Sequence, residues 1–292
     1  MAELQILTPH EKDLGGGFTV KRLLPAAARQ GVGPFVFFDH FGPVTAGPDA
    51  HHDVRPHPHI GLATVTYLFE GAMLHRDSTG AVQRIEPGAV NIMTAGRGIV
   101  HSERTPPDLV GQTRRSHGLQ LWLALPAERE EDPPRFQHVG AAELPQGEVA
   151  GFAVRVLVGS AFGLTSPVAS PTLFLDLQAP AAEPAALTVP DAALERAVYS
   201  PNAAFELDGR AVAACTLVVL PPGACPVLRA PPAARLVVIG GTGLGPRHIV
   251  WNFVSSRMER IEAARQDWAA QRFDRVPGET EFIPLPPRAD GR

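Results

Sequence analysis

Four side chains between residues 54 and 106 have the types and spacing of metal ligands. His57 and His59 form one pair in His-Pro-His, and His101 and Glu103 form another in His-Ser-Glu. Both pairs have i, i+2 spacing, which places two side chains on the same face of a β-strand. Two neighbouring strands that point such pairs inward would supply imidazole nitrogens and a carboxylate. That donor set suits a divalent transition metal such as iron, copper, nickel, manganese or zinc.

The residues between the two pairs are typical of short strands joined by turns. Residues 64–69 are rich in β-branched and aromatic side chains, and residues 89–93 form another apolar run. Pro87-Gly88 is a turn signal, and the small residues 95–98 predict a tight turn just before His101. The pattern predicts a small antiparallel β-barrel with the metal inside.

These motifs resemble the cupin pattern, and within the cupins they resemble the pirin family. The resemblance is carried by HPHIGLATVTYLFEGAMLHRDS and PGAVNIMTAGRGIVHSE, and it is weakest across about 135–190. It continues in residues 35–43, 116–126, 247–268 and 272–286. Cupins usually carry a further ligand Glu shortly after the His-x-His pair. Here residues 63 and 64 are Ala and Thr, and Glu103 restores the carboxylate, as in the pirin variant.

The resemblance implies an all-β fold of two tandem cupin barrels (double-stranded β-helix, jelly-roll-like) with a short C-terminal helix. We expect an N-terminal, metal-binding barrel over 1–133 and a C-terminal barrel over 134–292, because residues 126–147 look like a linker. The second half repeats short strands and has a Pro-Pro-Gly turn at 221–223, which suggests a duplication. It lacks His-x-His and His-x-Glu, so we expect it to be metal-free.

One helix is predicted over 256–270, which is part of the C-terminal barrel domain. Ser256 and Glu259 have the spacing of a capping box, and Met258, Ile261 and Trp268 predict its apolar face. The tail 276–286 resembles the terminal strand of pirins, which packs across the other domain.

Several polar residues outside the ligand pairs admit two interpretations. His40 either caps a turn or supports the site, and His75 and Asp77 either form a surface hairpin or bind the outer N–H of a ligand imidazole. His51 and His52 are adjacent, so they cannot both face one metal, and we expect both to face solvent. His117 is a weak site candidate.

Composition narrows the class of protein. The chain has 292 residues and a formal net charge of −4. This negative charge does not indicate a basic face, so direct binding of nucleic acid through phosphate contacts is not expected. No apolar segment of membrane-spanning length is present, and nothing resembles a signal peptide, so we predict a cytoplasmic protein without a membrane partner. Cys215 and Cys225 are expected to be packed thiols rather than a disulfide.

Three functions are compatible with this sequence. The pirin resemblance implies a dioxygenase that opens the heterocycle of flavonols such as quercetin with O2, using Fe(II) or another divalent metal held by His57, His59, His101 and Glu103. Glu103 would be the general base. A flat apolar pocket is then needed, and its candidate lining residues are Phe37, Phe38, Tyr67, Met93 and Trp122.

One alternative is a metal-binding pirin that acts through a protein partner as a regulatory or transcription co-factor-type protein, without turnover of its own. The other is a different cupin activity, such as an isomerase or a dioxygenase on another enol. No Lys/Arg-rich run marks a nuclear signal. We expect a monomer.

Overall fold

A computed structural model describes residues 3–14, 18–50, 52–168 and 172–287 of the chain. The chain divides into two compact units, neither of which is a continuous stretch of sequence. We call residues 41–138 and 245–292 the histidine unit, and residues 1–40 and 139–244 the apolar unit. Compact units need not coincide with family domains, so the division at 133/134 stays a sequence-based prediction.

The described residues are mostly β-structure. The strands in the first half are β1 Gln5–Leu7, β2 His10–Asp13, β3 Thr19–Leu24, β4 Phe35–Ala46, β5 Val54–His59, β6 Leu62–Glu70, β7 Met73–Asp77, β8 Val82–Ile85, β9 Val90–Thr94, β10 Ile99–Arg104, β11 Arg114–Ala124 and β12 Arg135–Val139. The strands in the second half are β13 Gln146–Val149, β14 Phe152–Val158, β15 Ser160–Ala161, β16 Leu164–Thr165, β17 Leu173–Gln178, β18 Ala185–Thr188, β19 Glu195–Tyr199, β20 Phe205–Leu207, β21 Arg210–Val212, β22 Leu217–Leu220, β23 Val227–Ala230, β24 Arg235–Gly241, β25 His248–Val250 and β26 Phe253–Ser255. Helix α1 covers Met258–Ala269, and single 3₁₀ turns cover Pro107–Leu109 and Ala127–Arg129. The predicted all-β class with one short C-terminal helix is confirmed.

Two larger sheets and the two-stranded sheet of β25 and β26 contribute to the histidine unit. Strands β5, β10, β7 and β8 form a four-stranded sheet in that order, and the strands of a seven-stranded sheet that lie mainly in this unit have the order β12, β9, β6, β11 and β4. Met93 of β9 and Ile99 of β10 belong to one buried apolar cluster, which links the two sheets through the interior. The interior of this unit is therefore lined by β5 and β10 on one side and by β9, β6 and β11 on the other.

The apolar unit has the same arrangement. Its larger sheet has the order β1-β22-β19-β24-β17-β14-β13, and its smaller sheet has the order β18-β23-β20-β21. Val, Leu and Phe side chains from both sheets form one buried cluster that includes Phe152, Leu175, Val198, Leu228 and Val238. Strands with alternating apolar positions bury one face in this way.

Helix α1 begins later than predicted, and the expected capping box does not form. Arg257 is the N-cap residue and makes no side-chain capping hydrogen bond. The Ser256 N–H and hydroxyl instead donate to the buried carboxylate of Glu130 at 2.8 and 3.1 Å. Met258 is 45 % exposed, so only Ile261 and Trp268 of the predicted apolar face are buried.

The tail after α1 forms no strand within the described residues up to 287, unlike the strand that the resemblance implied. It is fixed to the histidine unit by two hydrogen bonds of Ile283. Its N–H donates to the carbonyl of Pro56 at 2.8 Å, and its carbonyl accepts the indole N–H of Trp268 at 3.0 Å.

Both cysteines are free thiols, in agreement with the sequence prediction, but Cys225 is exposed rather than packed. No helix among the described residues is long and apolar enough to cross a membrane.

Candidate metal centre

The two predicted ligand pairs lie on neighbouring antiparallel strands. His57 and His59 end β5, and His101 lies in β10 directly opposite His57. Ile99 pairs with His59, so the two strands place the three imidazoles on one face. The register shifts between His101 and Glu103, which puts Glu103 opposite Val54.

The three imidazoles converge. One nitrogen from each of His57, His59 and His101 lies within 4.8 Å of the others. The Nε2 atoms of His59 and His101 are 3.2 Å apart, and the ring centroids of His57 and His101 are 4.3 Å apart. All three side chains are buried.

Hydrogen bonds on the outer side of the rings fix which nitrogen faces inward. Nδ1–H of His57 donates to the carbonyl of Arg55 at 2.9 Å, and Nδ1–H of His59 donates to the carbonyl of Asn252 at 3.1 Å. These donors leave Nε2 of each ring with a free lone pair directed at the shared point.

His101 is supported by a short chain of polar groups. Its Nδ1 lies 3.5 Å from Nδ1 of His75, and Nε2 of His75 lies 2.9 Å from the carboxylate of Asp77. A neutral His75 donates to Asp77 through Nε2–H and accepts from His101 through Nδ1. His75 and Asp77 are buried in strand β7, so the site-supporting interpretation holds and the surface-hairpin interpretation does not.

Burial keeps the three ligand imidazoles neutral. It lowers the pKa of His57 to about 4 and the pKa values of His59 and His101 well below their ordinary value. Repulsion among the neighbouring imidazoles lowers the pKa values of His59 and His101 further. At neutral pH the rings are thus deprotonated, which is the form that binds metals.

Glu103 lies outside the 4.8 Å group of histidines. Its carboxyl is half-buried, and it forms neither an ion pair nor a hydrogen bond with any other described residue. Burial raises the pKa of Glu103 to about 7. An unpartnered carboxyl two residues after His101 on the same strand suits either a fourth ligand or a proton acceptor.

Two of the predicted lining residues face the interior. Trp122 packs edge-on against His59 with ring centroids 5.2 Å apart, and Met93 and Trp122 both pair with Thr64, so these side chains share a face. Tyr67 pairs with Leu119 and lies on the opposite face of β6. The register thus decides which candidates face inward, and Tyr67 is not among them, because side chains alternate along a strand.

Phe37 and Phe38 belong to the apolar unit. The guanidinium of Arg22 lies 4.3 Å above the Phe37 ring, and Phe38 packs against Tyr199. Both rings therefore pack against other side chains of the apolar unit.

The other histidines that the structure describes are not part of the converging group. Buried His40 lies in β4 of the apolar unit, where its Nδ1 is 2.6 Å from the Tyr199 hydroxyl, so it does not cap a turn. His117 packs edge-on against Phe69. His52 is half-buried, and His51 lies outside the described residues.

The donor set fits a metal. Three buried imidazoles each offer a ligand nitrogen to one shared position, and the Nε2 atoms of His59 and His101 lie 3.2 Å apart. His57, His59 and His101 could hold a divalent ion that leaves coordination positions open, and the His-only group excludes none of the candidate metals.

Comparison with known proteins identifies the family of this chain. The model of the family Pirin matches residues 17–123, and the model of the Pirin C-terminal cupin domain matches residues 174–274. The chain belongs to the pirin family. The two cupin domains expected from the sequence are thereby confirmed.

Relatives of this pirin cover nearly the whole chain. A pirin-like protein of Caulobacter vibrioides is 46 % identical over 96 % of this chain and 98 % of its own length. A candidate quercetin 2,3-dioxygenase of Pseudomonas aeruginosa is 38 % identical over 91 % of this chain and 83 % of its own.

Solved structures share the fold. The quercetin 2,3-dioxygenase of Acinetobacter baumannii has a TM-score of 0.90 and 33 % identity, covering 99 % of this chain and 97 % of that one. A bacterial pirin of Escherichia coli, solved in complex with nickel(II), has a TM-score of 0.62 over 82 % of this chain and 100 % of its own. Its identity of 16 % shows the fold alone.

Sequence reasoning did not find the backbone carbonyl of Asn252, which accepts the hydrogen bond from His59. That carbonyl is 193 residues away in the sequence and carries no sequence signal.

Proposed function

We propose that this pirin is a metal-dependent dioxygenase that cleaves the heterocycle of flavonols such as quercetin. The observation that supports it best is the convergence of three neutral imidazoles with inward lone pairs beside an unpartnered carboxyl. The likeness to a quercetin 2,3-dioxygenase at 33 % identity over 99 % of the chain points to the same chemistry.

In this proposal His57, His59 and His101 hold a divalent metal, most simply Fe(II), and Glu103 completes the set or accepts a proton. A bound metal would supply Lewis acidity and bring substrate oxygen and O2 together. The reaction combines one flavonol with one O2 and gives one depside and one carbon monoxide. Both atoms of O2 are retained in the depside, so no external reductant is needed.

The side chains around the metal position have complementary roles. Glu103 is the group that takes the proton of the flavonol 3-hydroxyl, because a pKa of about 7 lets it accept a proton near neutral pH. Trp122 and Met93 offer apolar surface to a flat ring system. The chain from His101 through His75 to Asp77 holds the His101 ring in its orientation.

The deciding experiment measures oxygen consumption with quercetin. Wild type loaded with Fe(II), Cu(II), Ni(II) or Mn(II) is compared with His59→Ala, and metal content and carbon monoxide are measured in parallel. We expect about one metal per chain in wild type and loss of both metal and oxygen uptake in the variant.

His248→Ala is the matched control, since His248 is exposed and outside the converging group. It should retain metal and turnover. Wild type that binds metal yet consumes no oxygen with any loading would contradict the proposal.

A cytoplasmic location and a monomeric state remain predictions from the sequence. Small-molecule substrate and O2 are the partners that the proposed activity requires.

A further inference from the structure

We infer that Asn91 and Gln120 form a hydrogen-bond donor subsite inside the histidine unit, which binds an acceptor oxygen of the substrate away from the metal position. This inference deepens the proposed function and rests on it for the identity of the ligand. It arises from strand register, from the hydrogen bonds of the two amides and from their burial.

Strand register places the two amides on the same face as the metal site. Thr66 of β6 pairs with Asn91 on one side and with Gln120 on the other. Directly paired residues share a face, and residues two apart on one strand share it too. Asn91 and Gln120 therefore face the interior together with Met93 and Trp122, and Trp122 contacts the ligand residue His59.

Existing hydrogen bonds occupy both amide oxygens. Nδ1–H of His138 donates to Oδ1 of Asn91 at 2.6 Å, and the Thr66 hydroxyl donates to Oε1 of Gln120 at 2.8 Å. These contacts fix the orientation of each amide and leave the NH2 groups as donors.

The Asn91 donor is unsatisfied. Asn91 is only 2 % exposed, and its Nδ2 has no hydrogen-bond partner among the described residues. A buried amide N–H without a partner costs about 1–3 kcal/mol, so native proteins rarely retain one unless something else satisfies it. Gln120 and His138 are only half-buried, so a ligand can still reach the amide groups of Asn91 and Gln120.

The spacing suggests the shape of that ligand. Gln120 and Trp122 are two residues apart on β11, and two residues of a strand span about 7 Å. The subsite therefore suits a flat molecule that has one oxygen at the metal position and further acceptor oxygens at the other end of a fused ring system. Hydroxyl oxygens on the second ring of a flavonol have this chemistry, whereas a carboxylate ligand would find no Lys or Arg side chain there among Thr66, Asn91, Gln120 and His138.

The test compares binding of two flavonols without turnover. Metal-loaded protein is titrated under anaerobic conditions with quercetin and with 3-hydroxyflavone, which lacks the additional hydroxyl groups. We expect Asn91→Leu and Gln120→Leu each to weaken quercetin binding about tenfold and to leave 3-hydroxyflavone within about twofold. Metal content should not change.

The matched control is Ile92→Val, because Ile92 neighbours Asn91 on β9 and faces the other way. It should leave the ratio of the two affinities unchanged. That ratio is measured within one variant, so a general loss of folded protein cancels. Equal weakening of both ligands, or no weakening of quercetin, would overturn the subsite.

A second readout separates the subsite from the dioxygenase. The side-chain NH2 signals of Asn91 and Gln120, assigned by their loss in the two variants, should shift in ¹⁵N NMR when quercetin is added. Shifted signals without oxygen uptake would retain the subsite and reject the dioxygenase. Oxygen uptake without shifted signals would reject the subsite alone, and absence of any flavonol binding would reject both.

Discussion

The two units have smaller sheets with the same strand order but with different side chains. The four-stranded sheets have the orders β5-β10-β7-β8 and β18-β23-β20-β21, so each strand of the histidine unit's smaller sheet has a counterpart in the apolar unit. This agreement supports the duplication predicted from the sequence. What differs is the set of side chains that point into each interior.

The difference is clearest at the metal position. His57 and His101 face each other on β5 and β10, whereas Leu187 and Leu228 face each other on the corresponding strands β18 and β23. Both leucines belong to the buried cluster of the apolar unit. The same backbone pairing thus holds two of the converging histidines in one unit and a packed apolar pair in the other.

The central strands show the same contrast. Val198 of β19 pairs with Val218 and Val238 in the apolar unit, and all three lie in its core. In the histidine unit the corresponding strands pair Thr66 with Asn91 and Gln120. At these paired positions one repeat therefore carries packed apolar groups and the other polar groups, which agrees with function being carried by side chains grafted on a shared fold.

The largest expected effect comes from shortening a core leucine of the apolar unit, which should lower stability without changing metal binding. Leu228 is fully buried, so Leu228→Ala should lower the free energy of unfolding by about 2–5 kcal/mol, measured by urea denaturation. Metal content of the folded protein should stay unchanged, because the ligands lie in the other unit. Val227→Ala, at a position 37 % exposed, is the control and should cost within about 0.5 kcal/mol. Loss of metal in Leu228→Ala would break the division of roles.

Metal binding should stabilise the histidine unit selectively. Free metal at about one hundred times its dissociation constant adds about 2.7 kcal/mol to the native state. Hydrogen exchange should therefore slow in residues 99–104 on metal addition and recover with a chelator, while the counterpart strand 227–230 should respond less. Equal slowing in both strands would show that the metal stabilises the chain as one cooperative unit.

The strand placement of the histidines was predictable because the signal is local. Two residues at i, i+2 share a strand face, and the turn at 95–98 comes just before the strand that carries His101. The three histidines converge as that reasoning requires. The role of Glu103 stays a prediction, since its carboxyl lies outside the converging group.

The features that were missed depend on contacts distant in sequence. Ser256 and Glu259 have the spacing of a capping box, yet Glu130 takes the Ser256 hydrogen bonds from 126 residues away. Tyr67 was a candidate lining residue by its type, and only the register of β6 against β11 shows that it faces away from Trp122. The discontinuous make-up of both units also has no local signal.

The smallest expected effect concerns the face of β10 that points away from the converging histidines. Ser102 and Arg104 alternate with His101 and Glu103, and both donate to Glu279 of the tail, at 2.9 Å from Ser102 and 2.5 Å from Arg104. Glu279→Gln should cost about 1–2 kcal/mol of stability at pH 7, because it weakens charge-assisted hydrogen bonds. Glu86→Gln removes a surface ion pair with Arg84 and should cost less than about 1 kcal/mol.

The pH dependence of stability tests whether the charge of Glu279 is responsible for this contribution. The hydrogen bond from Arg104 lowers the pKa of Glu279 below its ordinary value of 4.5. The carboxylate therefore stabilises the fold fully above that ordinary value, and its contribution disappears as pH falls through the lower pKa of the folded state. The stability difference between wild type and Glu279→Gln should shrink in acid, as measured by urea unfolding from pH 7 to pH 3. A difference that stays constant would assign the contribution to packing of the tail rather than to the charge of Glu279.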